Sequence, residues 1–236
     1  MTKETATYQQ LQQLIAQPGC PLCGLAQQAV STYLDTLLWE SSTDFNLQTI
    51  LAASLGFCGR HSRQLLTFGG QRLAAAVVER MALLAAIRRL PELIDAAEPP
   101  PARFRLGKLR SRTQAQPAQL GLPDSIQPCP ACLREATETE RGVEVLLKHL
   151  DDLSGPLRTA GGLCLPHFIQ TTRAAPAPQR AVLLAIQQAV WHDLAGHLEE
   201  FIRKHMDHHH ADPISDPARL SVERTIAALT GEVPVR

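Results

Sequence analysis

The sequence is short of aromatics, has no net charge and has no long apolar run. Two Trp, two Tyr and six Phe amount to 4% of 236 residues, so the core must be aliphatic. Lys+Arg and Asp+Glu stand at 23 each, a balance that argues against a dedicated nucleic-acid scaffold, where a basic excess is the rule. No window approaches the roughly 18 apolar residues of a membrane span. The run from Leu73 to Ile87 is broken by Glu79 and Arg80 and reads as a buried helix. The N-terminal stretch, with Gln9, Gln10, Gln12 and Gln13, has no apolar signal-peptide core. The expectation is therefore a cytoplasmic protein without membrane insertion. Phosphate-loop, dinucleotide, nucleophile-elbow and H-E-x-x-H motifs are missing too, so no residue is nominated as catalytic and nothing in the sequence asks for an enzyme. Strand-like alternation is absent over any useful length, and the fold class expected is all-α.

Six cysteines stand out against this background, and they repeat. Cys20-Pro21-Leu22-Cys23 recurs as Cys129-Pro130-Ala131-Cys132, 109 positions on. Cys58-Gly59-Arg60-His61 recurs as Cys164-Leu165-Pro166-His167, 106 positions on. Each half thus reads C-P-x-C, a spacer of 34 residues (24–57) or 31 residues (133–163), then C-x-x-H. A chain of this length buries roughly 70–75% of its unfolded surface and needs no staple for want of core, so the cysteines call for a chemical reason.

Three cysteines and one histidine are the ligand set of a closed structural zinc site. A Cys-x-x-Cys turn aims two sulfurs at one centre, Pro21 and Pro130 stiffen that turn, and Gly24 is expected to supply a positive φ after it. Cys-x-x-His at a helix start supplies the other pair. Within each half the order suggests one centre from Cys20, Cys23, Cys58 and His61, and a second from Cys129, Cys132, Cys164 and His167. Two zinc ions are the expected cofactors. An iron–sulfur cluster or a redox dithiol uses the same ligands and stays open as the alternative. Disulfides and plain buried thiols stay open as well.

The tandem pattern resembles an uncharacterised bacterial family, a domain of unknown function. Its members carry a cysteine pair, a Gly-aromatic-Cys-x-x-His motif and a basic segment near the end. The matching residues here are Cys20 to Cys23, Gly56-Phe57-Cys58-Gly59-Arg60-His61 and Phe201-Ile202-Arg203-Lys204-His205. The chain departs from the pattern at Leu163, where the first half has Phe57, and at Met206, where the family tends to an acid. The resemblance implies no activity.

Periodicity places helices over Leu25 to Trp39, from Asp44 as cap to Gly56 as stop, over 70–97 and 178–205, and from Asp216 to Gly231. The expected organisation is two tandem related helical halves: 1–97, a Pro-rich basic linker at 98–128, a second half at 129–210, and a tail helix at 211–236. The arc of Leu73 to Ile87 is too wide for one neighbour, which suggests that the halves pack together. The linker's Arg103, Arg105, Lys108, Arg110 and Arg112 read as a solvated tether, with nucleic-acid or phosphate contact the sharper alternative. His205, His208, His209 and His210 read as a solvated helix end or an accessory metal cluster. Glu135, Glu138 and Glu140 read as solvated, and His149, His192 and His197 have no telling partner. The function these features suggest is a non-catalytic zinc-braced adaptor or scaffold for an unknown protein partner.

Overall fold

The structure, a computed structural model, describes residues 3–41, 44–97, 126–206 and 213–231. Residues 98–125 of the linker expected at 98–128, and the His208–His210 stretch, lie outside them. Every described element is helical, no strand occurs among the described residues, and the chain is all-α. No described helix is long and apolar enough to cross a membrane.

The helices are α1 (Lys3–Ile15), α2 (Pro21–Thr36), α3 (Phe45–Ser54), α4 (Gly59–Leu65), α5 (Arg72–Ala97), α6 (Pro130–Lys148), α7 (Leu150–Ala160), α8 (Leu165–Ala174), α9 (Ala177–Met206), α10 (Asp216–Arg219) and α11 (Ser221–Thr230). A single π-helical turn, Leu37–Ser41, follows α2. The chain divides into two compact units that do not follow its order. One joins Met1–Ser31 to Arg134–Arg236; the other is Thr32–Leu133.

In the first unit the core is aliphatic, as composition requires. Leu11, Leu14, Leu22, Leu25, Val143, Leu146, Leu153, Leu163, Leu183 and Ile186 are all buried in one cluster. Two glycines let α2 settle into it. A Cβ on Gly24 would stand 2.7 Å from Leu14 Cδ2, and one on Gly142 would stand 2.7 Å from Leu25 Cδ2. Gly24 is helical and does not have a positive φ. Its small size lets Leu14 of α1 approach, and the expected turn conformation is not used. Glu138 is also not solvated: it is buried and ion-paired with Arg134 at 3.2 Å and Arg141 at 2.6 Å. His149 has partners the sequence did not show, with its ring 4.4 Å from that of Tyr8 and its Nε2 3.6 Å from Glu4.

In the second unit α3 starts as expected, with Leu47 N–H donating to Asp44 Oδ1 at 2.9 Å. It ends with Leu55 in the left-handed region at φ 55° and Gly56 at φ 89°, whose N–H reaches Leu51 O at 2.7 Å. A Cβ on Gly56 would stand 2.7 Å from Ala82 Cβ, so glycine is required where α5 crosses. Ala75, Val78, Ala82 and Ala85 form the buried stripe of α5. The wide apolar arc is only half covered, because Leu73, Leu83, Ile87 and Leu90 are exposed.

Candidate metal centres

Each of the four motifs places its two ligand residues in the same way on the first turn of a helix. Cys20, Cys58, Cys129 and Cys164 directly precede α2, α4, α6 and α8. Their carbonyls accept the N–H of the residue four on: Gly24 at 3.1 Å, Ser62 at 2.9 Å, Leu133 at 3.1 Å and Phe168 at 2.8 Å. The first cysteine of each motif therefore caps its helix, and the second ligand, three residues on, projects from the same end. Pro21 and Pro130 are the first residues of α2 and α6, where a missing N–H costs nothing and the fixed φ suits the helix. A helix N-terminus carries partial positive charge, which favours thiolate over thiol.

The four motifs combine crosswise. Cys20 and Cys23 meet Cys164 and His167, forming the first centre; Cys58 and His61 meet Cys129 and Cys132, forming the second. In each centre the four donor atoms lie within 4.8 Å of one another, and the quartets could hold a metal ion. The eight residues picked from the sequence are the ones that the two quartets gather, but the quartets form across the halves and not within each half as expected. The ligand spacing is a property of one helix turn, and both halves have it; which turns meet depends on packing. Each centre lies inside one compact unit.

Local contacts bring the turns together. Before the second centre, Gln127 N–H donates to Ala53 O at 3.0 Å, which ties the residues leading into Cys129 to the end of α3, three residues before Gly56. Before the first centre, the buried Gln187 of α9 grips the backbone of Leu163. Leu163 N–H donates to Gln187 Oε1 at 3.0 Å, and Gln187 Nε2 donates to Leu163 O at 2.9 Å. Gly162, at φ 72°, has no room for a Cβ beside that amide, which lies 2.9 Å from the Cβ position. Both motifs thus dock a Gly-x-Cys segment on the long helix that follows, one through Ala82 and the other through Gln187. Sequence reading missed Gln187. Its signal was a polar residue on the apolar stripe of Leu183, Ile186 and Val190.

In the first centre, His167 Nδ1 lies 3.5 Å from Cys20 Sγ, 3.2 Å from Cys23 Sγ and 3.1 Å from Cys164 Sγ, and the Cys23 and Cys164 sulfurs are 3.7 Å apart. Cys23 Sγ also donates to Gly231 O at 2.8 Å, so the end of α11 closes on this centre. In the second centre, His61 Nδ1 lies 3.4 Å from Cys58, 3.5 Å from Cys129 and 3.5 Å from Cys132, with 3.7 Å between the Cys58 and Cys132 sulfurs. In both, Nδ1 is the ring nitrogen that faces the sulfurs.

Without an ion, the thiols share charge unequally. Burial pushes the Cys20 thiol up, but hydrogen bonds from Cys164 and Cys23 and the His167 ring outweigh it and hold Cys20 well below the usual thiol range. Cys23 is pushed up by its hydrogen bonds to the Cys164 and Cys20 sulfurs and by burial. Burial disfavours the His167 imidazolium, yet hydrogen bonds to Cys164 and Cys20 and the Cys20 charge raise it to about 10. In the second centre, the hydrogen bond from Cys132, opposed by burial and helped by His61, lowers Cys129 to about 3. Cys132 is raised in return, by that same bond and by burial. Each centre has a ready thiolate and a partner thiol that holds its proton.

His205 behaves as a helix end, its Nδ1 2.8 Å from Phe201 O and its ring 4.1 Å from that of Phe201. His192 is exposed, and His197 lies 3.7 Å from Asp193.

Comparison with curated proteins and with solved structures finds no match. A family of unknown function, DUF6062, matches residues 1–236, and the chain belongs to that family.

Proposed function

We propose that each quartet holds one zinc ion in a closed structural site, and that the protein is a non-catalytic, zinc-braced helical adaptor acting on a protein partner in the cytoplasm. The carrying observation is the spacing of the donors. Zinc bonds of about 2.3 Å to sulfur and about 2.0–2.1 Å to imidazole give tetrahedral edges of about 3.75 Å between sulfurs and about 3.55 Å between sulfur and nitrogen. One sulfur pair in each centre, Cys23–Cys164 and Cys58–Cys132, stands at 3.7 Å. Sulfur–nitrogen distances of 3.4–3.5 Å in the second centre fit one ion without rearrangement, and the first is slightly tighter. An iron–sulfur cluster is the alternative occupant. It interposes bridging sulfides between irons and spreads its ligands further than a single tetrahedron does, so donors all within 4.8 Å favour zinc.

Four protein ligands leave no open position for substrate, which supports bracing over catalysis. Support for the adaptor role comes from Leu83, Ile87 and Leu90, apolar side chains left exposed along α5. The test is elemental analysis with an absorption spectrum on protein purified without oxygen. Two zinc ions per chain and no colour are expected. Brown protein with iron and sulfide overturns the zinc reading.

A further inference from the structure

A cavity of about 800 Å³ opens in the first compact unit beside the first centre. Its volume lies in the range of small-molecule sites, roughly 300–1,000 Å³. The walls are mostly apolar: Ile15 from the end of α1, Leu163, Val190 and Leu194 of α9, and Ala227 and Ala228 of α11. Polar groups are few, and Arg224 is the one cationic side chain among the lining residues, which also include Cys20 and Cys164 of the first centre. Arg224 is half-buried, and no carboxylate among the described residues forms an ion pair with it. A smaller recess of about 330 Å³ shares Thr159, Gly161, Val190 and Arg224 with the cavity and adds Arg158 and Asp193. Asp193 is largely exposed and lies 3.7 Å from His197, so the shared rim carries two guanidinium groups against one carboxylate.

An apolar chamber with an unpaired guanidinium at its edge selects a particular chemistry. The walls favour a flexible hydrocarbon body, and the fork of donors on Arg224 favours a carboxylate, which it can bind through two parallel hydrogen bonds. We propose that this cavity binds a free monoanionic amphiphile of the medium-chain fatty-acid class, with its carboxylate on Arg224 and its chain against Val190, Leu194 and Ala227. The proposed ligand contacts, Arg224, Val190, Leu194 and Ala227, are not metal-centre residues, although Cys20 and Cys164 of the first centre belong to the cavity wall. A bound chain therefore lies next to the first centre.

The test is calorimetric titration of the zinc-loaded full chain with decanoate, with 1-decanol as the neutral chain and butyrate as the head group alone. Backbone amide shifts locate the ligand. Decanoate is expected to bind saturably at one site, at least tenfold more tightly than either control, with shifts at Val190, Leu194 and Ala227. Arg224→Gln is expected to lower decanoate affinity at least tenfold and leave decanol unchanged, because it removes only the charge. Ala228→Trp is expected to abolish binding by filling the chamber, with zinc content and circular dichroism reporting that the fold is intact. The proposal is overturned if decanoate does not saturate, if decanol binds as well, if Arg224→Gln changes nothing, or if the shifts fall on the exposed leucines of α5. Zinc content is read on the same samples, so loss of metal and loss of ligand are told apart.

Discussion

Cys23 and Cys164 are 141 positions apart in the chain, and their sulfurs are 3.7 Å apart. The first half's cysteine pair is completed by the second half's Cys-x-x-His, and the reverse holds for the other centre. Each quartet thus gathers residues from both sides of the 98–125 segment, so chain order alone does not say which ligand pair supports which region.

Thiol protection in Cys58→Ser tests the crossed pairing. Loss of Cys58 breaks the second centre, so Cys129 and Cys132 should become reactive to an alkylating reagent. Cys20, Cys23 and Cys164 should stay protected by the first ion. Mass spectrometry of alkylated peptides reads the answer, and reactive Cys20 and Cys23 with a protected Cys129 would restore pairing within each half.

Zinc uptake should release protons at both centres. Metal-free Cys23 is held above the usual thiol range and His167 is held at about 10, so at neutral pH both carry protons that the ion must displace. At the second centre Cys132 must lose its proton, while Cys129, lowered to about 3, is already a thiolate. All three raised groups, Cys23, His167 and Cys132, favour the metal-free state, so affinity falls as pH falls. For the first centre the slope of log affinity against pH near neutrality should be about 2 or more, the number of protons displaced. Competition with a chromophoric chelator at several pH values measures it, and a pH-independent affinity would count against thiolate ligation.

Much of this was legible because it is local. The all-α class, the start of α3 at Asp44, the extent of α5 and α9, and the eight residues that the two quartets gather follow from caps, periodicity and one-turn spacing. Which turns meet was not legible, since two nearly identical motifs carry no mark of their partner. Gly24 was misread for a related reason: its sequence context suggested a turn, whereas its constraint is Leu14 from another helix. Glu138 looked like one more surface acid on a polar stretch, and only packing reveals that it is buried between Arg134 and Arg141.

Gln187→Leu should weaken the first centre without touching the second. The substitution keeps the volume and leaves both Leu163 N–H and Leu163 O buried without their partner. Each unsatisfied group costs about 1–3 kcal/mol, so a loss of about 2–6 kcal/mol in denaturant unfolding is expected. Zinc should leave Cys164 and His167 at lower chelator concentration than it leaves Cys58 and His61. Equal loss from both centres would mean that Gln187 supports the fold generally and does not position the Leu163–Cys164 segment.

Gly56→Ala makes the corresponding test on the second centre, and there backbone and packing act in the same direction. Gly56 sits at φ 89°, where an L-residue is strained, and the added methyl would stand 2.7 Å from Ala82 Cβ. Strain of about 1–3 kcal/mol and overpacking of similar size are both expected, and the chain must relieve them by moving either α5 or the segment leading to Cys58. Because Cys58 caps α4 two residues later, the second option turns the first ligand away from its tetrahedral position. The melting temperature should fall, and zinc should be lost from the second centre before the first. Gly69→Ala is the control, since a Cβ there meets nothing within 4 Å and its φ is not in the left-handed range. That variant should melt within a degree or two of the parent and keep both ions. If Gly56→Ala lost stability while its second centre kept parent affinity, α5 would have given way instead, and the Gly56 turn would be needed for packing alone.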